Sequence, residues 1–208
     1  DTPDAEIFIA DKNDSGRTQL TFNEASDTTP VWSPDGSRIA FTSNRDGDQE
    51  VYIMDPTGSE VSQITENTVA DYGPTWSPDG TKIAFTSTRD GNKNIYVAHL
   101  NGSEVTQRTT HSASDAEPAW SPDSPSIAFS SDRDGDTEIY TIDTTDTLSQ
   151  LTDNSAGDFS PKWAPEADRV AFTSTRGATR EVYVMDADGS NEIQVTQASN
   201  SGSDRKAS

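Results

Sequence analysis

The stretch Asp71-Tyr-Gly-Pro-Thr-Trp76-Ser-Pro-Asp-Gly80 decides the fold, because the chain repeats it. The same phrase stands at Asp27-Thr-Thr-Pro-Val-Trp32-Ser-Pro-Asp-Gly36, at Asp115-Ala-Glu-Pro-Ala-Trp120-Ser-Pro-Asp123 and at Asp158-Phe-Ser-Pro-Lys-Trp163-Ala-Pro-Glu166. Successive tryptophans are 44, 44 and 43 residues apart. A fixed period of roughly 20–50 residues marks an architecture in which each unit covers its neighbour.

The residues that follow repeat as well. Ile39-Ala40-Phe41, Ile83-Ala84-Phe85, Ile127-Ala128-Phe129 and Val170-Ala171-Phe172 each lead into an arginine-bearing turn. Then come Val51-Tyr52, Ile95-Tyr96, Ile139-Tyr140 and Val182-Tyr183, and finally Gln-x-Thr at Gln63, Gln107, Gln150 and Gln194. Short β-branched and aromatic runs, separated by Pro-Asp-Gly, Asp-Gly and Gly-Ser, predict a four-stranded antiparallel meander per repeat. Ile-Ala-Phe is apolar on both faces, whereas a one-sided sheet alternates apolar with polar. Both faces of each sheet must therefore be covered. Radial stacking does this, so the expected fold class is an all-β propeller with full repeats at about 27–66, 71–110, 115–153 and 158–196. The recurrent alanine leaves clearance for the facing sheet, and one large aromatic per strand fills the space between sheets.

Composition narrows the partners. The 208 residues carry a formal charge of -21, from 36 acids against 15 bases. Such a surface repels a phosphate backbone, which excludes nucleic acid as a partner. No stretch approaches the roughly 20 apolar residues of a membrane helix, so direct membrane insertion is not expected. Without cysteine the chain has neither disulfides nor thiolate chemistry. Asp outnumbers Glu by 25 to 11 and Arg outnumbers Lys by 10 to 5. Two settings fit this balance: a halophile, where counterions screen the self-repulsion, and an ordinary acidic secreted protein.

Trp-Ser-Pro-Asp-Gly, Ile-Ala-Phe-x-Ser-x-Arg-Asp-Gly and Ile-Tyr together resemble the TolB-type, WD40-like PD40 β-propeller family, over almost the whole chain. The resemblance implies a non-catalytic propeller that binds a protein or peptide at the channel mouth or blade loops, in a periplasmic or extracellular setting. Repeat 3 departs from the pattern with Ser-Pro-Asp-Ser-Pro at 121–125, repeat 4 with Ala164-Pro165-Glu166, and Arg108 replaces an apolar residue.

The ends are out of phase with a ring. Glu6-Ile7-Phe8 aligns with Glu50-Val51-Tyr52, and Gln19-Leu20-Thr21 with Gln63-Ile64-Thr65, so residues 1–22 supply the two outer strands of a half blade. Residues 197–208, rich in Ser, Asn and Gly, read as a flexible tail. Three arrangements are open: a portion of a larger propeller, a homo-oligomer joined through incomplete blades, or a ring of four blades with a dangling hairpin.

Two sets of residues are candidates for a site. Asp27, Asp71, Asp115 and Asp158 recur five residues before each tryptophan; they either line one mouth of the channel and attract a cation or a basic ligand, or cap the entering loop. Asp46, Asp48 and Glu50, with Asp134, Asp136 and Glu138, place carboxylates at alternate turn positions, as Ca²⁺ loops do, and Asp90 and Asn92 keep oxygens there in repeat 2. Against Ca²⁺ stands an ordinary Asp-Gly turn in which the aspartate bonds its own backbone and Arg45, Arg89 or Arg133 pairs with a neighbouring carboxylate. No cofactor is required by this reading, and Ca²⁺ is the one that the spacing allows. Catalysis finds little support: His99 and His111 do not recur, and neither a Gly-x-Ser-x-Gly elbow nor a nucleotide fingerprint is present. A glycosidase built on paired carboxylates is the enzymatic alternative.

Overall fold

A computed structural model describes residues 4–13, 16–123, 125–177 and 179–197. The tail expected to be flexible thus lies outside the described residues beyond Gln197. A half blade comes first, β1 (Phe8–Ile9) paired with β2 (Thr18–Gln19). Four four-stranded antiparallel sheets follow. The first holds β3 (Asp27–Trp32), β4 (Ile39–Ser43), β5 (Glu50–Met54) and β6 (Ser62–Gln63), and the second β7 (Asp71–Trp76), β8 (Lys82–Ser87), β9 (Asn94–His99) and β10 (Val105–Gln107). The third holds β11 (Asp115–Trp120), β12 (Ile127–Ser131), β13 (Glu138–Ile142) and β14 (Leu148–Gln150), and the fourth β15 (Asp158–Trp163), β16 (Arg169–Ser174), β17 (Glu181–Asp186) and β18 (Ile193–Gln194). Every sheet is a plain meander in chain order, as hairpin turns dictate.

The inner edges β3, β7, β11 and β15 touch in succession, which places them nearest the axis of a propeller. In the first three sheets the second strand is buried along its whole length except at Lys82, which opens β8, and Phe41, Phe85 and Phe129 have zero exposure. This is the two-sided burial that Ile-Ala-Phe demands. The small residue is placed as expected: Ala40 of the first sheet packs in one cluster with Trp76 and Ile83 of the second.

Two recurrent devices hold the blades in register. A threonine after the outermost strand (Thr21, Thr65, Thr109, Thr152, Thr196) accepts a hydrogen bond at its hydroxyl from the backbone N–H that opens the third strand, at 2.8–3.0 Å. Each inner strand also carries a β-bulge, between Thr28 and Val31 and at the three equivalent places. Its extra residue is left-handed, with φ of 50° at Thr29, 65° at Gly73, 58° at Glu117 and 52° at Ser160. Only Gly73 adopts this conformation without a Cβ penalty, so three side chains are held there by their surroundings.

Candidate functional site

The arginine turns build one assembly four times. Arg45, Arg89, Arg133 and Arg176 reach back to the aspartate 18 residues earlier, with N–O distances of 3.0, 2.6, 2.8 and 2.6 Å to Asp27, Asp71, Asp115 and Asp158. Each guanidinium carbon lies 4.4–5.0 Å from the ring centre of the blade's tyrosine and 5.3–5.7 Å from that of its phenylalanine. In the first three blades the Nε–H also donates to Ser43, Ser87 or Ser131, at 2.8–2.9 Å. The planar guanidinium suits this place, because it can stack on a ring and still bond a carboxylate edge-on. The Tyr52 hydroxyl is pushed up to about 12 by burial. Arg176 rises further above its usual range, since bonds to Glu192 and Asp158 outweigh its burial.

This arrangement corrects the reading of the recurrent aspartates as channel-mouth ligands. Side chains of Asp27, Asp71, Asp115 and Asp158 have no solvent exposure and each bonds an arginine, while one oxygen each of Asp71, Asp115 and Asp158 stays buried without a hydrogen-bond partner. Among the described residues no backbone N–H donates to them: beside the arginines, the donors to Asp27, Asp71 and Asp158 are the amides of Asn23, Asn67 and Asn154, at 2.7–2.9 Å. Asn67 and Asn154 also donate to Glu50 and Glu138 from their backbone, at 2.7 Å in both. A buried chain of Glu, Asn, Asp and Arg thereby ties the third strand of one blade to the first strand of the next. Burial pushes the carboxyls of Glu50 and Glu138 up to about 7, against the lowering effect of Thr65 and Thr152.

The acidic turns divide. Ligand oxygens of Asp46, Asp48 and Glu50 fall within 4.8 Å of one another, whereas the matching Asp134, Asp136 and Glu138 do not form such a group among the described residues. Gln63 donates to Asp46 and Gln150 to Asp134, at 2.5 Å each, while Asp48 and Asp136 each keep one buried, unpartnered carboxylate oxygen. Repeat 2 is committed elsewhere. Asp90 accepts the Tyr96 hydroxyl, and Asn92 donates its amide to the carbonyls of His111 and Ala113 while its oxygen accepts from Asn94. The arginines of these turns pair with the inner aspartates and not with the turn carboxylates.

Strands alternate in direction, so the turns between second and third strands emerge on the same face as the connections from blade to blade. On this face lies a cleft of about 220 Å³ bounded by the inner strands of the second, third and fourth blades. Tyr72 and Phe159 wall it, Ala116 lies between them in sequence position, and Lys93, Glu117 and Asp132 supply charge. Tyr72 and Phe159 are half-buried, and Arg180 sits 5.5 Å over the Phe159 ring. Its volume suits one or two side chains of a partner more than a whole small ligand. Tyr72, Ala116 and Phe159 each directly follow a recurrent aspartate. Reasoning from what repeats passed over them because that position varies. Larger clefts between outer strands hold Arg89 or Arg108 and Arg133, but each of these arginines is already paired with a carboxylate.

Stacked four-stranded sheets with buried aspartate–arginine pairs define a β-propeller. The chain belongs to the TolB β-propeller domain family, whose model, PD40, matches residues 1–72 and 66–148. Its fold is similar to a TolB structure from Agrobacterium tumefaciens, with TM-score 0.84 and 25% identity over 92% of this chain and 73% of that one. It is also similar to TolB from Acinetobacter baumannii, with TM-score 0.82 and 23% identity over 94% of this chain and 50% of that one. In sequence, 42 residues, 20% of the chain, are 45% identical to dipeptidyl-peptidase 5 of Porphyromonas gingivalis, and this stretch is 6% of that protein. Solved lyases and peptidases share the fold at 18% identity or less.

Proposed function

We propose that this propeller is a non-catalytic docking platform for a protein or peptide, in a periplasmic or extracellular setting, and that the cleft between Tyr72 and Phe159 receives the partner. The observation that carries this reading is the pairing of half-buried aromatic walls with exposed charge on the face where the blade loops gather. Aromatic anchors beside a polar rim are what binding surfaces use. A strongly negative surface favours a cationic partner. Arguing against a carboxylate-based hydrolase, Glu50 and Glu138 have raised, acid-like affinities for protons but no solvent exposure, so no substrate reaches them.

Calorimetric titration with Lys/Arg-rich and Asp/Glu-rich peptides of equal length tests this. The cationic set is expected to bind saturably, and Tyr72→Ala with Phe159→Ala to weaken it at least tenfold. Equal binding by both sets, indifference to the double variant, or turnover of a peptide or polysaccharide substrate would overturn the reading.

A second reading places Ca²⁺ at Asp46, Asp48 and Glu50. The convergence of their oxygens and the unpartnered Asp48 oxygen favour it, while the bonds that Asn67 makes to Glu50 oppose it. Ca²⁺ added to chelator-treated protein at pH 8 is expected to raise Tm if the site exists. An unchanged melting curve and no heat of binding would remove it.

A further inference from the structure

We propose that the cleft between the outer strands of the second and third blades, around Arg108, His111 and Arg133, binds a small organic ligand that carries one carboxylate on an apolar body. This site is separate from the cleft between Tyr72 and Phe159 and stands whatever binds there. Three outer strands lead out of their blades alike, with Gln19-Leu-Thr-Phe-Asn23, Gln63-Ile-Thr-Glu-Asn67 and Gln150-Leu-Thr-Asp-Asn154, whereas the second blade reads Gln107-Arg-Thr-Thr-His111. Each departure moves the charge one way. Arg108 adds a cation where the others are apolar, Thr110 stands where two of them have an acid, and His111 replaces an amide. All three residues line the same cleft, whose volume of about 460 Å³ lies within the roughly 300–1,000 Å³ of small-molecule sites.

The cleft between the first and second blades is its counterpart and shows what the departures change. There Ile64 takes the place of Arg108, and Glu66 stands in the lining with Arg89. In the second cleft Arg108, Arg133 and His111 face Asp146 as the single acid of the lining. The pairing of these arginines engages only part of each guanidinium. Arg108 donates from Nη2 to the Asp143 carbonyl and to Asp146, at 2.7 and 2.8 Å, and Arg133 donates from Nε to Ser131 and from Nη2 to Asp115, at 2.9 and 2.8 Å. Nε and Nη1 of Arg108 and Nη1 of Arg133 have no hydrogen-bond partner among the described residues. On His111, Nδ1 accepts the Ala113 N–H at 3.1 Å, so the neutral ring keeps its proton on Nε2 as a further donor.

The last blade shows which group such an arginine edge takes. Arg176 occupies the place of Arg133, and its Nη1 donates to the Glu192 carboxylate. Glu192 stands two residues before Gln194, which pairs with Tyr183; in the third blade Leu148 stands two residues before Gln150, which pairs with Tyr140. Leu148 therefore sits in the place of that acid, 41% exposed in the wall of the cleft. A ligand carboxylate on Arg133 takes the role of Glu192, with Arg108 and His111 as further donors, and its apolar body lies along Leu148 and Ile142. Charge-assisted bonds to a guanidinium are among the stronger hydrogen bonds. The charge of -21 on the whole chain favours a ligand with a single negative charge, since the wider field repels anions while the arginines act at contact.

The test titrates the ¹⁵N-labelled 208-residue chain with acetyl-Gly-Leu bearing a free carboxylate, with its carboxamide, and with 4-methylpentanoate. The Arg133 Nε–H signal is expected to move saturably with the free peptide and the Arg89 signal to stay, with the carboxamide at least tenfold weaker. An affinity for 4-methylpentanoate that matches or exceeds the peptide's assigns the site to free aliphatic acids, and a lower one to peptide carboxyl ends; either result supports the carboxylate site. Arg108→Leu, which restores the residue type of Leu20 and Leu151, is expected to weaken binding at least tenfold. Because Arg108 also ties two blades, Leu148→Glu serves as a second variant that leaves this tie intact. Its carboxylate is expected to occupy Arg133 as Glu192 occupies Arg176, and to abolish binding. No saturable shift with either the peptide or the acid, equal binding of the carboxamide, or full affinity in Leu148→Glu overturns the proposal.

Discussion

The three interfaces between full blades and the half-open face in front of the first blade are made from the same sequence phrase, yet they behave differently. Trp76 and Trp32 stand in the same Pro-x-Trp-Ser-Pro-Asp-Gly phrase, but one indole is buried and bonded and the other is half in water. The last sheet repeats the lesson from the other side. Val182 is 38% exposed where Val51, Ile95 and Ile139 have no exposure, and Ala171 is only half-buried. A repeat therefore specifies the shape of its sheet, while its stability depends on what the neighbour covers. This is the nearest-neighbour energetics of stacked repeats.

The comparison predicts a ranking. Phe85→Ala, in a site of zero exposure, is expected to cost about 3–5 kcal/mol, and Phe8→Ala under about 1, read as midpoints of urea unfolding. Equal losses would erase the distinction between covered and open faces. Next comes the buried pair: Asp71→Ala strands Arg89 against its rings and is expected to cost about 2–4 kcal/mol, whereas Arg169→Ala, a 58% exposed partner 4.0 Å from Asp186, changes stability by less than about 0.5.

Proton linkage gives a smaller effect with a definite sign. Glu50 and Glu138 have folded values near 7 against about 4.5 in an unfolded chain, so their contribution to stability is complete below about pH 4.5 and is lost as pH rises through 7. Glu50→Gln is expected to raise Tm by roughly 3–6 °C at pH 8 and to leave it nearly unchanged at pH 4.5. A gain at the lower pH alone would contradict the assignment. Asp35 runs the opposite way: the Ser33 and Ser37 bonds hold it down to about 2, and its contribution is lost only on strong acidification. Smallest is the indole bond itself. Trp163→Phe is expected to lose about 1 kcal/mol and Trp32→Phe less than half of that, since only the first gives up an acceptor. Thermal melts of the two variants side by side check the difference.

Much of the fold was readable from the repeat. The period placed the sheets, and apolar residues on both faces of Ile-Ala-Phe required neighbours on both sides. The aspartate–arginine pairs were also written in the sequence, through a constant 18-residue separation that holds in all four repeats even where the tryptophan spacing shortens. Reading aspartate by its distance to tryptophan alone offers only a mouth ligand or a loop cap, and its arginine partner lies outside both. Arg108, which seemed an interruption, donates to the Asp143 carbonyl and to Asp146 across two blades, at 2.7 and 2.8 Å. The bulges were not readable, because Thr29, Glu117 and Ser160 share no chemistry and only Gly73 announces a left-handed turn. The mouth cleft was hidden for a related reason. A binding surface on a repeat scaffold is built from positions that differ between repeats, and a search for what recurs passes over them.

Amide hydrogen exchange, resolved strand by strand, tests the central claim that blades are stable because they cover one another. The account predicts slowest exchange in β8, β9, β12 and β13, faster exchange in β16 and β17, and fastest in β1, β2 and β18. Protection that is uniform along the chain, or greatest at β1 and β18, would contradict it.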